Sequence, residues 1–467
     1  MHLILSLKNF LSQIIYICGD DFKPKILKLF FFAFSLSFLE FLGLGLFVSF
    51  ILSIFGTESI IFSFVPNLEN FDQYKMMIIL VILYTLKLIL SIFFQYKIYS
   101  YLFDLHYELS KKLLTTYIKK PYTYFSDTNS SILIRNIYSE IGIFTYQIII
   151  AFSILITDVI LILSLIFLLM LSDSISTIII SFFLIFFYFI YYSISKPYVK
   201  KWGEILVRQK FFVHNDLKET FNSIKEIKIF NIENFFLKKF SKNLFKYSQS
   251  SKNQSILSQF PKFFFEYVIV LIFIFVINFF YFRDLSSEQI FSNLTLLAAA
   301  SLRLMPCFAR ISTQTQSIMF YKPTVKILNK ELTEANEFQD KYLKQKDLNI
   351  NGENNLEFKN SIIVKDLQFK FSNNKELFNK INLKILKNEI IGIYGKSGEG
   401  KTTLVDIICG LIKPSSGQIL IDGKYDIYSG NLKKDWLNKI GYVTQEIYLL
   451  NDTIKNNIIY GSSTFDK

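Results

Sequence analysis

Six apolar runs, each near the ~20 residues that an α-helix needs to cross a bilayer, constrain this chain more than any other feature. They cover residues 27–55, 76–101, 148–171, 175–194, 263–282 and 290–310. A soluble protein of 467 residues could hardly hide a composition that is 51% hydrophobic, 17% aromatic and 19% charged, so most of these runs face lipid. The charges between them set the orientation. Residues 56–73 carry Glu58, Glu69 and Asp72 and no lysine. Lys97, Lys111, Lys112, Lys119, Lys120 and Arg135 follow the second run, and Lys196, Lys200, Lys201, Arg208 and Lys210 follow the fourth. Basic stretches stay on the cytoplasmic side, which places both termini there for an even number of spans. The same bias accounts for the formal net charge of +13, so no nucleic-acid partner is expected.

Residues 1–24 are apolar but broken by Lys8 and lack a small-residue cleavage site, which reads as an interfacial helix rather than a signal peptide. Residues 25–330 form the membrane domain. Helical spacing continues past the second run through Leu105, Leu109, Leu113 and Ile118 to a stop at Pro121, and recurs at Leu217, Phe221, Ile224, Ile227 and Ile229. Both basic loops are therefore expected to project from the membrane as helices. A polar, asparagine-rich linker is expected over 331–358, and an α/β region over 359–467. Strands are expected at 362–364, 367–369, 381–385, 417–421 and 440–443. Cys18, Cys307 and Cys409 have no metal-ligand spacing and read as small hydrophobic residues.

The α/β region contains Gly395-Lys396-Ser397-Gly398-Glu399-Gly400-Lys401-Thr402, followed by Thr403, a match to G-x-x-x-x-G-K-[ST]. Glycines let consecutive backbone N–H groups turn inward around phosphate oxygens. Lys401 is expected to reach the β- and γ-phosphates of a nucleoside triphosphate, and the Thr402 hydroxyl to help hold Mg²⁺. Residues 389–394 read as a short buried strand, and 403–408 open a helix whose N-terminus faces the phosphates.

Membrane spans followed by this loop resemble an ABC transporter of the exporter type, with a polytopic α-helical domain fused to an α/β ATP-binding domain. The resemblance implies ATP and Mg²⁺ as cofactors, the inner (plasma) membrane as location, and a homodimer or a heterodimer with another half-transporter. In it, Phe371 corresponds to the aromatic that stacks on adenine, and Gln445 to the glutamine that touches Mg²⁺. Residues 451–454, 457–458 and 460–461 resemble the run that follows in exporters. In the membrane half, residues 39–45, 121–125, 129–131 and 224–228, Pro261-Lys262 with Glu266, and Arg303-Leu304-Met305-Pro306 with Arg310 resemble transporters of lipid-linked oligosaccharides. Coupling helices are expected near 123–136 and 221–233.

Ionisable groups inside a span are costly and usually face a cavity or a partner. Lys87, Lys262, Arg303 and Arg310 are expected to line a basic path for an anionic headgroup such as a lipid diphosphate. Snorkelling, or pairing with Glu40 or Glu266, is the alternative. The sequence stops at Lys467 before any LSGGQ-type signature, acidic Walker B strand or switch histidine, so no catalytic residue is assigned. ATP contact is expected, hydrolysis by this polypeptide alone is not, and the sequence reads as a fragment of a longer frame or a decaying gene. The expected function is ATP-driven movement of a lipid-linked saccharide or similar amphiphile. Drug or peptide export, a nucleotide-binding remnant without ATPase activity, and a membrane-anchored phosphate-loop kinase are the other readings.

Overall fold

A computed structural model describes residues 2–19, 22–54, 73–283, 287–347, 356–370, 376–429, 432–445, 447 and 449–459. The chain divides into two compact units, Met1–Lys119 with Asn129–Phe338, and Gln339–Lys467 with Lys120–Thr128.

The first unit is helical. It contains α1 (His2–Cys18), α2 (Phe22–Ile54), α3 (Gln73–Lys119), α5 (Ser130–Ile134), α6 (Ile141–Ile143), α7 (Ile150–Ser172), α8 (Ser174–Asn222), α9 (Ile224–Phe230), α10 (Glu233–Phe282) and α11 (Ser287–Asp347), the last of which runs on past the division. The short α4 (Tyr122–Asp127) is grouped with the second unit. π-Helical turns at Arg135–Glu140 and Phe144–Ile149 link α5, α6 and α7 into one rod. Among the described residues, six helical stretches are long and apolar enough to cross a membrane. At 1.5 Å per residue the 47 residues of α3 span about 70 Å, more than twice a ~30 Å hydrocarbon core. The surplus is the projecting helix expected from the sequence.

The spans pack by stripes at helical spacing. On α2, Ala33, Ser37, Glu40, Leu44, Val48 and Leu52 are buried while Phe30, Phe31, Phe34 and Phe38 are exposed, one face to the bundle and one to lipid. On α10 the buried stripe is Phe265, Val268, Ile272, Val276 and Phe280. Small residues allow the closest approaches, since packing rather than water exclusion drives helix association in lipid. A Cβ on Gly203 of α8 would sit 2.2 Å from the Phe320 carbonyl oxygen of α11, so only glycine fits there. The amino-terminal α1 buries Phe10, Ile14 and Ile17, and Tyr16 accepts a 2.7 Å hydrogen bond from Asn336. Among residues 331–358, those up to Asp347 continue α11 rather than forming an extended linker.

The second unit holds an antiparallel sheet in the order β2-β1-β3-β4. Its strands are β1 (Ser361–Lys370), β2 (Glu376–Leu386), β3 (Ser416–Ile421) and β4 (Tyr425–Asp426). Val364 lies opposite Leu383 and Ile363 opposite Leu420, so the two short strands expected at 362–364 and 367–369 are one strand with an irregularity between them. Val364, Leu367, Ile419 and Ile421 pack with Ile407 of α12 (Lys401–Ile408) and Trp436 of α13 (Leu432–Leu437). A last short helix, α14 (Ile454–Ile458), is capped by the Thr453 side chain. Two expected strands do not form. Residues 389–394 and 440–443 join no sheet, and Ile390, Tyr394 and Val443 are almost fully exposed. A strand is made by its neighbour's hydrogen bonds, and no described segment lies in ladder register with either run.

Candidate functional site

The phosphate-loop motif folds as a loop entering a helix. Gly398 and Gly400 have φ of +87° and +91°, in the left-handed region that only glycine adopts cheaply. Gly400 is also the residue before α12, and a Cβ there would lie 2.7 Å from Leu377 and 2.8 Å from Phe378. Sterics thus demand glycine at the turn into the helix. The first turn of α12 leaves backbone N–H groups without helical partners, the arrangement that favours an anion. Thr402 is exposed there and Thr403 half-buried.

Two side chains of the motif close the loop on itself. Lys401 Nζ donates to the carbonyls of Gly395 and Lys396 at 2.8 and 2.7 Å. The Glu399 carboxylate accepts the Lys396 N–H at 2.7 Å, so a carboxylate takes a backbone donor that a phosphate oxygen could use. The far end of α12 is held firmly. Trp436 Nε1 donates to the Ile408 carbonyl at 2.9 Å and the Tyr428 hydroxyl to that of Ile407 at 2.8 Å, satisfying carbonyls that the helix end leaves open. Tyr442 reaches Asp406 Oδ1 at 3.1 Å and brings the segment carrying Gln445 beside this helix; Gln445 itself is exposed. Burial, followed by the Asp406 charge, pushes the Tyr442 hydroxyl above its ordinary range. Phe371 lies outside the described residues.

A second cluster lies within the membrane unit. Lys87 of α3, Arg303 and Arg310 of α11 line one cavity of about 220 Å³, together with Glu40 of α2 and Asp158 of α7. Lys87 pairs with Glu40, and Arg303 Nε lies 2.8 Å from the other Glu40 oxygen. Arg310 grips Asp158 with a two-pronged contact, Nε to Oδ2 at 2.9 Å and Nη2 to Oδ1 at 2.6 Å. Of the four basic residues singled out in the sequence, three converge here. Lys262 does not: it is exposed on α10, with its Nζ 5.9 Å from the Phe263 ring centre. The glutamate that pairs is Glu40, whereas Glu266 is exposed and lies on α10. Asp158 was not anticipated, although its signal was present: it is the single charged residue of α7.

The ABC transporter family model matches residues 378–466. The ATP-dependent lipid A-core flippase of Desulfotalea psychrophila is 41% identical over 109 residues, covering 23% of this chain and 18% of the flippase. The alpha-hemolysin translocation ATP-binding protein of Escherichia coli O157:H7 is 41% identical over 108 residues, covering 23% of this chain and 15% of that protein. A provisionally named export ATP-binding/permease protein of Rickettsia prowazekii is 28% identical over 273 residues, 57% of this chain and 45% of its own length. The chain therefore spans less than half the length of these relatives. Residues 378–466 thus carry an ABC transporter segment, and the six helices long and apolar enough to cross a membrane that precede it give the chain the order of an ABC exporter, a helical membrane-type region followed by a nucleotide-binding region.

Proposed function

We propose that this chain is a subunit of an ATP-driven transporter that moves an amphipathic, anionic lipid, such as a lipid-linked oligosaccharide, across the inner membrane. The observation that carries the proposal is the phosphate loop, Gly395 to Thr403, in its glycine-dependent conformation at the start of α12. The loop's N–H groups and Lys401 would hold a triphosphate. Thr402 and Gln445 would hold Mg²⁺, and Phe371 would cover the base. The fit is physical: the left-handed glycines turn the backbone inward, and Lys401 Nζ already lies across the mouth of the loop. When bound, the nucleotide supplies the free energy of closing two such domains, and this chain's residues bind and position it. A second half-transporter, identical or not, would complete the assembly, with both termini in the cytoplasm as the basic loops favour.

Two short helices fall where the coupling helices are expected. One is α4, which is grouped with the second unit although its neighbours α3 and α5 belong to the first. The other is α9, closed by Asn231 in the left-handed conformation at φ 53°. On the membrane side, the cavity with Lys87, Arg303 and Arg310 supports an anionic headgroup. A second reading, a nucleotide-binding subunit without turnover, is favoured by the self-closed loop of Lys401 and Glu399. Toxin or peptide export is supported by the hemolysin translocator.

Binding of a fluorescent ATP analogue to the purified chain tests the central claim. Lys401→Ala should weaken it at least about tenfold, the size expected for removing a charge-assisted contact. Equal affinity in both proteins would defeat the nucleotide assignment. Turnover in the same samples separates the two readings.

A further inference from the structure

The membrane cavity holds more information than its basic residues alone. Its charged lining consists of three cations, Lys87, Arg303 and Arg310, and two carboxylates, Glu40 and Asp158. We infer that this cavity is a binding site for a lipid with a singly charged anionic head, and that Glu40 is the residue that sets that charge. The inference rests on the reading of this unit as a carrier of anionic amphiphiles and narrows its substrate to heads of one negative charge, against a lipid-linked diphosphate.

The acids and the cations are placed differently. Glu40 and Asp158 side chains are 2% and 5% exposed, whereas those of Arg303 and Arg310 are 44% and 47% exposed. The carboxylates are sunk in the wall as fixed counter-ions, and the guanidinium groups open on the cavity. With both carboxylates paired, the lining keeps one net positive charge, not three. A buried site tolerates little uncompensated charge, so a monoanion balances it and a dianion overshoots. Arg303 is the cation freest to turn toward a ligand. Its Nε approaches Glu40 Oε1, yet that oxygen has no aligned hydrogen bond, while Arg310 is tied to Asp158 by two.

Arg303 also belongs to a neighbouring groove of about 540 Å³, lined by Leu44, Phe47, Met77, Leu80, Val81 and Leu302. One side chain thus stands where a small polar chamber meets a larger apolar trough. A free phosphate matches only the chamber. A lipid matches both, its charged group against Arg303 and its chain along α2 and α3.

The test is equilibrium binding to the full chain in detergent at pH 7.5, by competition with fluorescent lysophosphatidylglycerol. Competitors share one acyl chain: monoacylglycerol is neutral, lysophosphatidylglycerol carries one charge, and lysophosphatidic acid carries about two. Inorganic phosphate is the head without the tail. The singly charged lipid should bind about tenfold tighter than the neutral one, and at least as tightly as the doubly charged one. Glu40→Gln should move the preference to the doubly charged lipid by about tenfold. Lys87→Gln, which leaves no net charge, should erase the advantage over the neutral lipid and serves if Glu40→Gln fails to fold. Leu302→Trp, at a mostly exposed groove position, should weaken all acylated ligands alike. An unchanged order in both charge variants overturns the inference, as does phosphate competing as well as the lipid. Lipids that bind without charge order defeat this inference alone; failure of every lipid to bind defeats the amphiphile reading beneath it.

Discussion

Glu140 is the residue on which the helical extensions of the membrane unit beyond its apolar spans most depend. It sits fully buried in the first π-helical turn between α5 and α6, and Thr324 of α11 donates to its Oε2 at 2.7 Å. Arg135 Nε and Lys210 Nζ of α8 each lie 3.7 Å from its Oε1 and are themselves almost buried. Each cation contributes roughly 4 kcal/mol of attraction at an effective dielectric of 20, and burial of the three ions offsets most of that sum. Replacing Glu140 by Gln keeps the volume and the Thr324 contact but strands two buried cations. The expected cost is about 3–5 kcal/mol, since a broken buried pair is far more damaging than one never made. In a unit of this size that lowers an apparent melting temperature by roughly 5 °C or more. The assay is thermal unfolding of the purified chain in detergent, with Glu233→Gln as the comparison. Glu233 pairs with Lys228 at 3.0 Å on the surface, where solvent screens the pair, so its loss should leave the melting temperature almost unchanged. Replacing Glu140, Arg135 and Lys210 together by Leu, Met and Met should restore most of the stability. Equal melting of Glu140→Gln and Glu233→Gln would refute the reasoning.

Two further predictions concern the second unit. Glu399→Gln removes the carboxylate that occupies the Lys396 N–H and would repel a phosphate, so nucleotide affinity should rise about fivefold in a fluorescent-analogue titration; no change would mean the loop opens at no cost. Asp422 accepts the backbone N–H groups of Lys359, Asn360 and Ser361 at 2.8, 2.6 and 2.8 Å. Desolvation pushes its pKa up, but the three donors outweigh it and hold the carboxyl below the usual range. Because the folded value is depressed, this stabilisation is present above the unfolded pKa of about 3.9 and is lost as pH falls through the folded one. Asp422→Asn should therefore weaken the unit near neutrality and flatten its acid unfolding below about pH 4, read by Trp436 fluorescence in a Trp202→Phe background.

What the sequence made legible divides by the range of the forces involved. Lipid demands long uninterrupted apolar runs, so the spans show in a sliding window, and α3 could be followed to Pro121 because helical spacing persists without a break. The phosphate loop is legible for a different local reason: Gly398 and Gly400 take left-handed φ values, which their residue type alone announces. Residues 389–394 mislead because Ile390, Ile391, Ile393 and Tyr394 state a preference for burial and say nothing about whether a partner strand stands beside them. The charged stretch after residue 330 hides its helix because the buried stripe it continues, Leu328, Leu332 and Ala335, is short and set among charged residues, as the Lys330–Glu334 pair shows.

The membrane charges lie between these cases. That Lys87, Arg303 and Arg310 are anomalies inside spans is a one-dimensional fact, visible to any reading that prices ions in hydrocarbon. What they do depends on pairing, which is three-dimensional. Counted along the chain, Lys87, Lys262, Arg303 and Arg310 suggest a basic path suited to a diphosphate. Counted in space, Glu40 from α2 and Asp158 from α7 cancel two of them, and both acids sit on the buried stripes of their helices rather than near the basic residues in sequence. The difference changes the chemistry expected of the ligand by a full charge. An ionisable residue on the inward stripe of a span is therefore best assigned only after every carboxylate on the facing stripes has been counted against it.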